Sequence, residues 1–128
     1  MLIYLWIALG SAMGGVGRFW LSGAIDRHSA GTFPWGTLIV NVTGSFVIGF
    51  FATATGPDGR MVINPSFRQF FMIGICGGYT TFSAFSLQTL NLVRDGEWLY
   101  GSVNILGSVI LCLVGVWLGH ILAVTFNR

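Results

Sequence analysis

The placement of its charges constrains this chain more than any other feature. No residue from Met1 to Gly17 is charged; Arg18 interrupts, and the apolar run then continues to Ile25. Further uncharged runs lie between Arg27 and Asp58, between Arg68 and Arg94, and between Glu97 and Arg128. A helix needs about 20 apolar residues to cross a bilayer core. The runs therefore predict four transmembrane helices, over about 3–25, 34–55, 67–93 and 98–126. Barrel strands would alternate over ~10 residues, and no such alternation is present. In lipid the backbone must satisfy itself, which again favours helices.

Composition excludes the other classes. Six arginines and four acids leave 8% of residues charged, against 54% hydrophobic. Soluble domains carry roughly 25% charged residues, so ten charges cannot cover a soluble surface. With a net charge of +2, no lysine and no basic cluster, a nucleic-acid-binding role is excluded. The length fits one all-α transmembrane domain over 1–128. The first apolar stretch lacks a basic leader and runs too long for a cleavable signal, so it is read as a span. Cys76 and Cys112 lie inside apolar runs and read as small hydrophobes.

The expected connections are short and polar: Asp26-Arg27-His28, Gly56 to Arg60, and Arg94 to Glu97. Pro34 and Pro65 suit the starts of the second and third helices. Arginines near the membrane ends divide almost evenly. Arg60, Arg68 and Arg128 fall on one side, Arg27 and Arg94 on the other, with Arg18 near that end. Orientation normally follows such a bias, so the count leaves open either a weak one-way preference or insertion both ways up. Gly10/Gly14, Gly74/Gly78 and Gly115/Gly119 are pairs that let helices approach closely, within a chain or between copies. A homodimer is the simplest assembly. Opposite insertion of its subunits would place its axis in the membrane plane.

Neutral polar residues form stripes. Thr37, Asn41 and Ser45 share one face of the second helix, and Asn104, Ser108 and Cys112 share one face of the fourth. Thr80, Thr81, Ser83, Ser86 and Gln88 add to the third. Each suits interhelical hydrogen bonding; together they outline a narrow path. No span holds Asp or Glu, which counts against coupled exporters that keep an intramembrane carboxylate. Arg18 inside a span costs ~2.5–3.5 kcal/mol unless it snorkels or serves a vestibule's positive potential. His28 reads as solvated and His120 as interfacial.

Residues 74–86 contain Gly77-Gly78 followed by Thr80-Thr81, a poor helix interior. A break near the membrane midplane is expected there, and such breaks expose carbonyls and amides to ions. Phe82 and Phe85 follow on one face. Aromatic edges carry partial positive charge and can face a dehydrated anion.

Gly77-Gly78-Tyr79-Thr80-Thr81-Phe82-Ser83-Ala84-Phe85 resembles the third-helix signature of the small bacterial fluoride channels, the Fluc/CrcB family. Gly36 to Phe46 and Gly14 to Phe19 resemble its second- and first-helix motifs. Ala84 departs from the family, which often has threonine there. The resemblance implies an antiparallel, dual-topology homodimer in the bacterial inner membrane, with two pores that passively export fluoride from the cytoplasm. It implies that Phe82 and Phe85 present ring edges to fluoride, with Asn41 a donor beside them. Ser108 and Asn104 would lie on a polar track, and Cys112 there would be a weaker partner. A structural sodium ion would be held at the dimer centre by the carbonyls of Gly77 and Thr80. Thr37 and Ser83 complete the expected fluoride pathway from the polar stripes, with Arg18 as vestibule charge. No reaction is catalysed in this reading. The competing readings are a small proton- or cation-coupled exporter and an accessory membrane subunit.

Overall fold

The computed structural model describes all 128 residues and is entirely helical. Helix α1 spans Leu2–His28 and α2 Trp35–Ala54. The third membrane-length segment, Pro65–Arg94, is bent. It contains α3 (Pro65–Gln69), a π-helical turn (Phe70–Cys76), α4 (Gly77–Tyr79) and α5 (Phe82–Arg94). Helix α6 spans Trp98–Asn127. All four segments are long and apolar enough to cross a membrane.

Local chemistry explains where the segments begin and end. Asn64 caps α3 by accepting from the Ser66 N–H at 2.8 Å, and Pro65 takes the first helical position, where its missing N–H is harmless. The start of α2 is satisfied by α1: Asp26 Oδ1 accepts from the Gly36 N–H at 2.8 Å. An acid at that end also complements the helix dipole. Helix α5 ends in a glycine-closed turn. Glu97 N–H donates to the Leu92 carbonyl and Gly96 N–H to that of Val93, with Gly96 at φ 82°. Only glycine adopts that conformation without strain.

One expected connection shifts. Asp26, Arg27 and His28 form the last turn of α1, not a loop, and the chain leaves the helix from Ser29. His28 Nδ1 donates to the Ala24 carbonyl at 2.8 Å, and cationic side chains favour a helix C-terminus.

Packing follows the glycines. Helix α2 packs mainly against α6, and α1 against the π-helical turn and α4. Gly10 faces Gly74 so closely that a Cβ on Gly10 would meet Gly74 Cα at 2.9 Å. Gly14 and Gly78 continue that seam, and Gly115 and Gly119 lie on the α2 backbone near Val42 and Phe46. All three glycine pairs thus work within one chain. Only 21 of 128 residues are buried, while Phe19, Leu99 and Leu113 are more than half exposed. Apolar surface on that scale has to meet lipid or another chain rather than water. The protein is a multi-pass membrane protein.

A candidate ion site at the bend of the third segment

The bend lies at the two threonines. Thr80 (φ −80°, ψ 158°) and Thr81 (φ −154°, ψ 119°) are extended, between α4 and α5. Paired glycines before them and β-branched threonines are weak helix formers. A neighbouring side chain supplies the alternative bonds. Asn41 of α2 donates from Nδ2 to the Thr81 carbonyl at 2.9 Å and accepts the Thr81 N–H on Oδ1 at 2.8 Å. Thr81 Oγ1 then caps α5 by accepting from the Ala84 N–H at 3.2 Å.

These bonds have a consequence for carbonyls. In a continuous helix the carbonyl of residue i accepts from the N–H of residue i+4. The Thr81 N–H is turned to Asn41, so Gly77 loses that donor. The Ala84 N–H is turned to Thr81 Oγ1, so Thr80 loses its own. The carbonyl between them is used differently: Arg18 Nε of α1 donates to Gly78 at 3.3 Å. Thr80 N–H and Oγ1–H both return to the Cys76 carbonyl, at 3.0 and 2.9 Å. Gly44 lets α2 approach here, since a Cβ would strike the Thr80 methyl and the Tyr79 ring. Tyr79 OH and Thr43 Oγ1 lie 2.9 Å apart across the same contact.

A groove of about 540 Å³ runs beside the bend, between α2, α5 and α6. It is lined by Asn41, Thr80, Thr81, Phe82, Phe85 and Ser108, together with Ser45, Cys76 and Cys112. Gly77 also borders it, and no charged side chain does. The rings of Phe82 and Phe85 lie 5.2 Å apart at 50°. Phe85 is 8% exposed, whereas Phe82 is 76% exposed.

The structure therefore brings Asn41, Phe82, Phe85, Ser108, Gly77 and Thr80 to one groove. Three other predicted residues do not line it. Thr37 is buried two turns before Ser45 on α2, Ser83 is exposed with its hydroxyl 3.3 Å from Thr81 Oγ1, and Asn104 is buried behind Ser108. Arg18 reaches the bend itself through Gly78. Ser45 and Cys112 were signalled by their stripes, as the next i+4 positions after Asn41 and Ser108. Cys76 had no sequence signal beyond its proximity to Gly77.

A family profile described as "CrcB-like protein, Camphor Resistance (CrcB)" matches residues 5–120. The chain belongs to the CrcB family. A protein named "Fluoride-specific ion channel FluC" from Opitutus terrae is 62% identical over 127 residues, covering 99% of this chain and 96% of that one. One of the same name from Paramagnetospirillum magneticum is 59% identical over 128 residues, covering all of both. "Fluoride-specific ion channel FluC 1" of Bradyrhizobium diazoefficiens is 50% identical over 127 residues, covering 99% of this chain and 88% of that one. The CrcB match takes in the whole groove and the bend beside it.

Proposed function

We propose that this protein is a passive, fluoride-selective channel of the bacterial inner membrane that exports fluoride from the cytoplasm. Membership of the CrcB family and relatives named as fluoride-specific channels support the reading. The observation that carries it is a groove without charged lining in which two phenylalanine rings sit beside the start of a helix. Ring edges and the positive end of α5 both favour an anion. Neither binds it as tightly as an arginine would, and conduction requires an ion that can leave. Ring-edge attraction is short-ranged, so the smallest halide gains most from it.

The active assembly in this reading is an antiparallel homodimer with two related pathways. The 76% exposure of Phe82 supports it, because a second copy would close the groove that one chain leaves open. The near-even arginine count supports dual insertion.

The residues also fit a structural sodium ion. Sodium is a hard cation that takes oxygen ligands, as calcium and magnesium do. The ligands offered are the carbonyls of Gly77 and Thr80, which have lost their helical donors. No group of three His, Cys, Asp or Glu side chains is present to hold a metal by other means. Two copies would supply four carbonyls around one axis. The ion would neutralise the carbonyl dipoles at the dimer centre, leaving the anion path to the rings and amides.

Purified protein in liposomes tests the function. Rapid fluoride release on adding only a charge-balancing ionophore, with chloride retained, is the expected result. Release that requires a proton gradient would make the protein a coupled exporter, and no release would leave it an accessory subunit.

A further inference from the structure

The Ser108 hydroxyl in the groove ends a chain of hydrogen bonds whose direction is fixed at the far end. The main-chain carbonyl of Phe85 can only accept. Thr89 Oγ1 lies 2.8 Å from it and donates its one proton there. Thr89 Oγ1 then has only lone pairs for Asn104, whose Nδ2 donates to it at 2.9 Å. That turns Asn104 Oδ1 toward Ser108. Oδ1 carries no proton, so Ser108 Oγ donates to it, at 3.3 Å. Asn104 is 2% and Ser108 7% exposed, so water offers the pair no ready substitute. Ser108 therefore shows the groove lone pairs and not a proton. An anion needs the opposite.

We propose that Thr89 and Asn104 are positioning residues that set the polarity of Ser108, holding its proton away from the ion path until an arriving anion draws it out. The proposal rests on the fluoride-channel reading and names two residues that act in it without touching the ion. Thr89 and Asn104 do not line the groove. The Ser108–Asn104 separation is long for an O–H···O bond, which is usually 2.7–2.8 Å. A bond that weak yields to a strong acceptor and re-forms when the acceptor leaves. Ser108 then contributes a donor while the ion passes and retracts it afterwards, which favours transit over trapping.

Current from the whole protein in planar bilayers, measured against fluoride concentration, tests this. Thr89→Val keeps the side-chain shape but removes the acceptor that orients Asn104. The amide can then turn Nδ2 toward Ser108 and release the serine proton into the groove. The expected result is a half-saturating fluoride concentration lowered roughly three- to tenfold, with Thr89→Ser restoring the original value. In a Ser108→Ala background Thr89→Val should shift nothing, since coupling through the hydroxyl is gone. An equal shift in that background, or no shift in the single variant, overturns the proposal. If Thr89→Val does not assemble on gel filtration, Asn104→Leu, which removes the acceptor of the serine proton, goes through the same cycle with the same two outcomes. Absence of fluoride current from the unaltered chain would overturn the channel reading itself, and this proposal with it.

Discussion

Asn41 and Thr81 pair as two strands of a ladder do, amide to backbone in both directions, at 2.9 and 2.8 Å. A side chain thus takes the place of the helical partners that Thr81 has given up. Asn41→Leu removes both bonds and leaves the Thr81 N–H and carbonyl without partners. Each unsatisfied buried group costs about 1–3 kcal/mol. Thermal unfolding in detergent should fall accordingly, and fluoride efflux by more than about tenfold as the bend loosens. Asn41→Asp, which keeps only the acceptor, should lose flux as well, because it puts an anion in the groove.

The two phenylalanines separate function from stability. Phe82→Ile alters a largely exposed ring and should leave the melting temperature of the single chain nearly unchanged. Phe85→Ile alters a buried ring and should cost about 1–2 kcal/mol of stability. Both should cripple fluoride efflux from liposomes. Wild-type rates from either variant would remove that ring from the pathway.

Arg18 admits a clean distinction between charge and geometry. If it acts as a positive potential, Arg18→Lys should retain most of the flux, and the defect of Arg18→Gln should shrink as salt rises, since screening acts over about 8–10 Å. If its bond to Gly78 is what counts, both variants should lose flux by a similar factor at all salt concentrations. Efflux rates at two ionic strengths decide it.

The seam between α1 and the third segment tolerates no added carbon. Gly74→Ala would push a methyl to within 3.0 Å of Gly10 Cα and 3.1 Å of the Ile7 carbonyl. No rotamer relieves a clash with backbone. We expect destabilisation of about 1–3 kcal/mol, read by thermal unfolding. The same substitution at Gly107, where nothing lies within 4 Å, should be almost neutral in the single chain.

Sodium removal checks the proposed cation site. Exchange into a large organic cation should reduce the dimer fraction in detergent, and restored sodium should reverse the loss. A dimer indifferent to the exchange would leave the Gly77 and Thr80 carbonyls without that role.

The spans were legible because ten charges mark their ends so sharply, and the structure moves each end by no more than three residues. The groove was legible in part. Asn41 and Ser108 project into it together with Ser45 and Cys112, their successors at helical spacing. Thr37 and Asn104 share those faces but fall one turn outside, since a stripe gives a direction and the neighbouring helices decide its extent. The partner of Asn41 was not legible. It lies 40 residues away and exists only once α2 has docked on the bend. Asp26 was misread as loop because its charge looked like a boundary, whereas its carboxylate serves the first amides of the next helix.

The π-helical turn at Phe70–Cys76 makes the third segment unusually sensitive to length. A wider coil of this kind holds one residue more than an ordinary turn would. Deleting a single residue there would let the coil relax into a regular helix, yet everything downstream would swing by roughly 100° about the axis. The aromatic pair and the paired threonines would then address a different neighbour, with composition almost untouched. Substitutions along Phe70–Cys76 should therefore be tolerated far better than any change in the number of residues it contains.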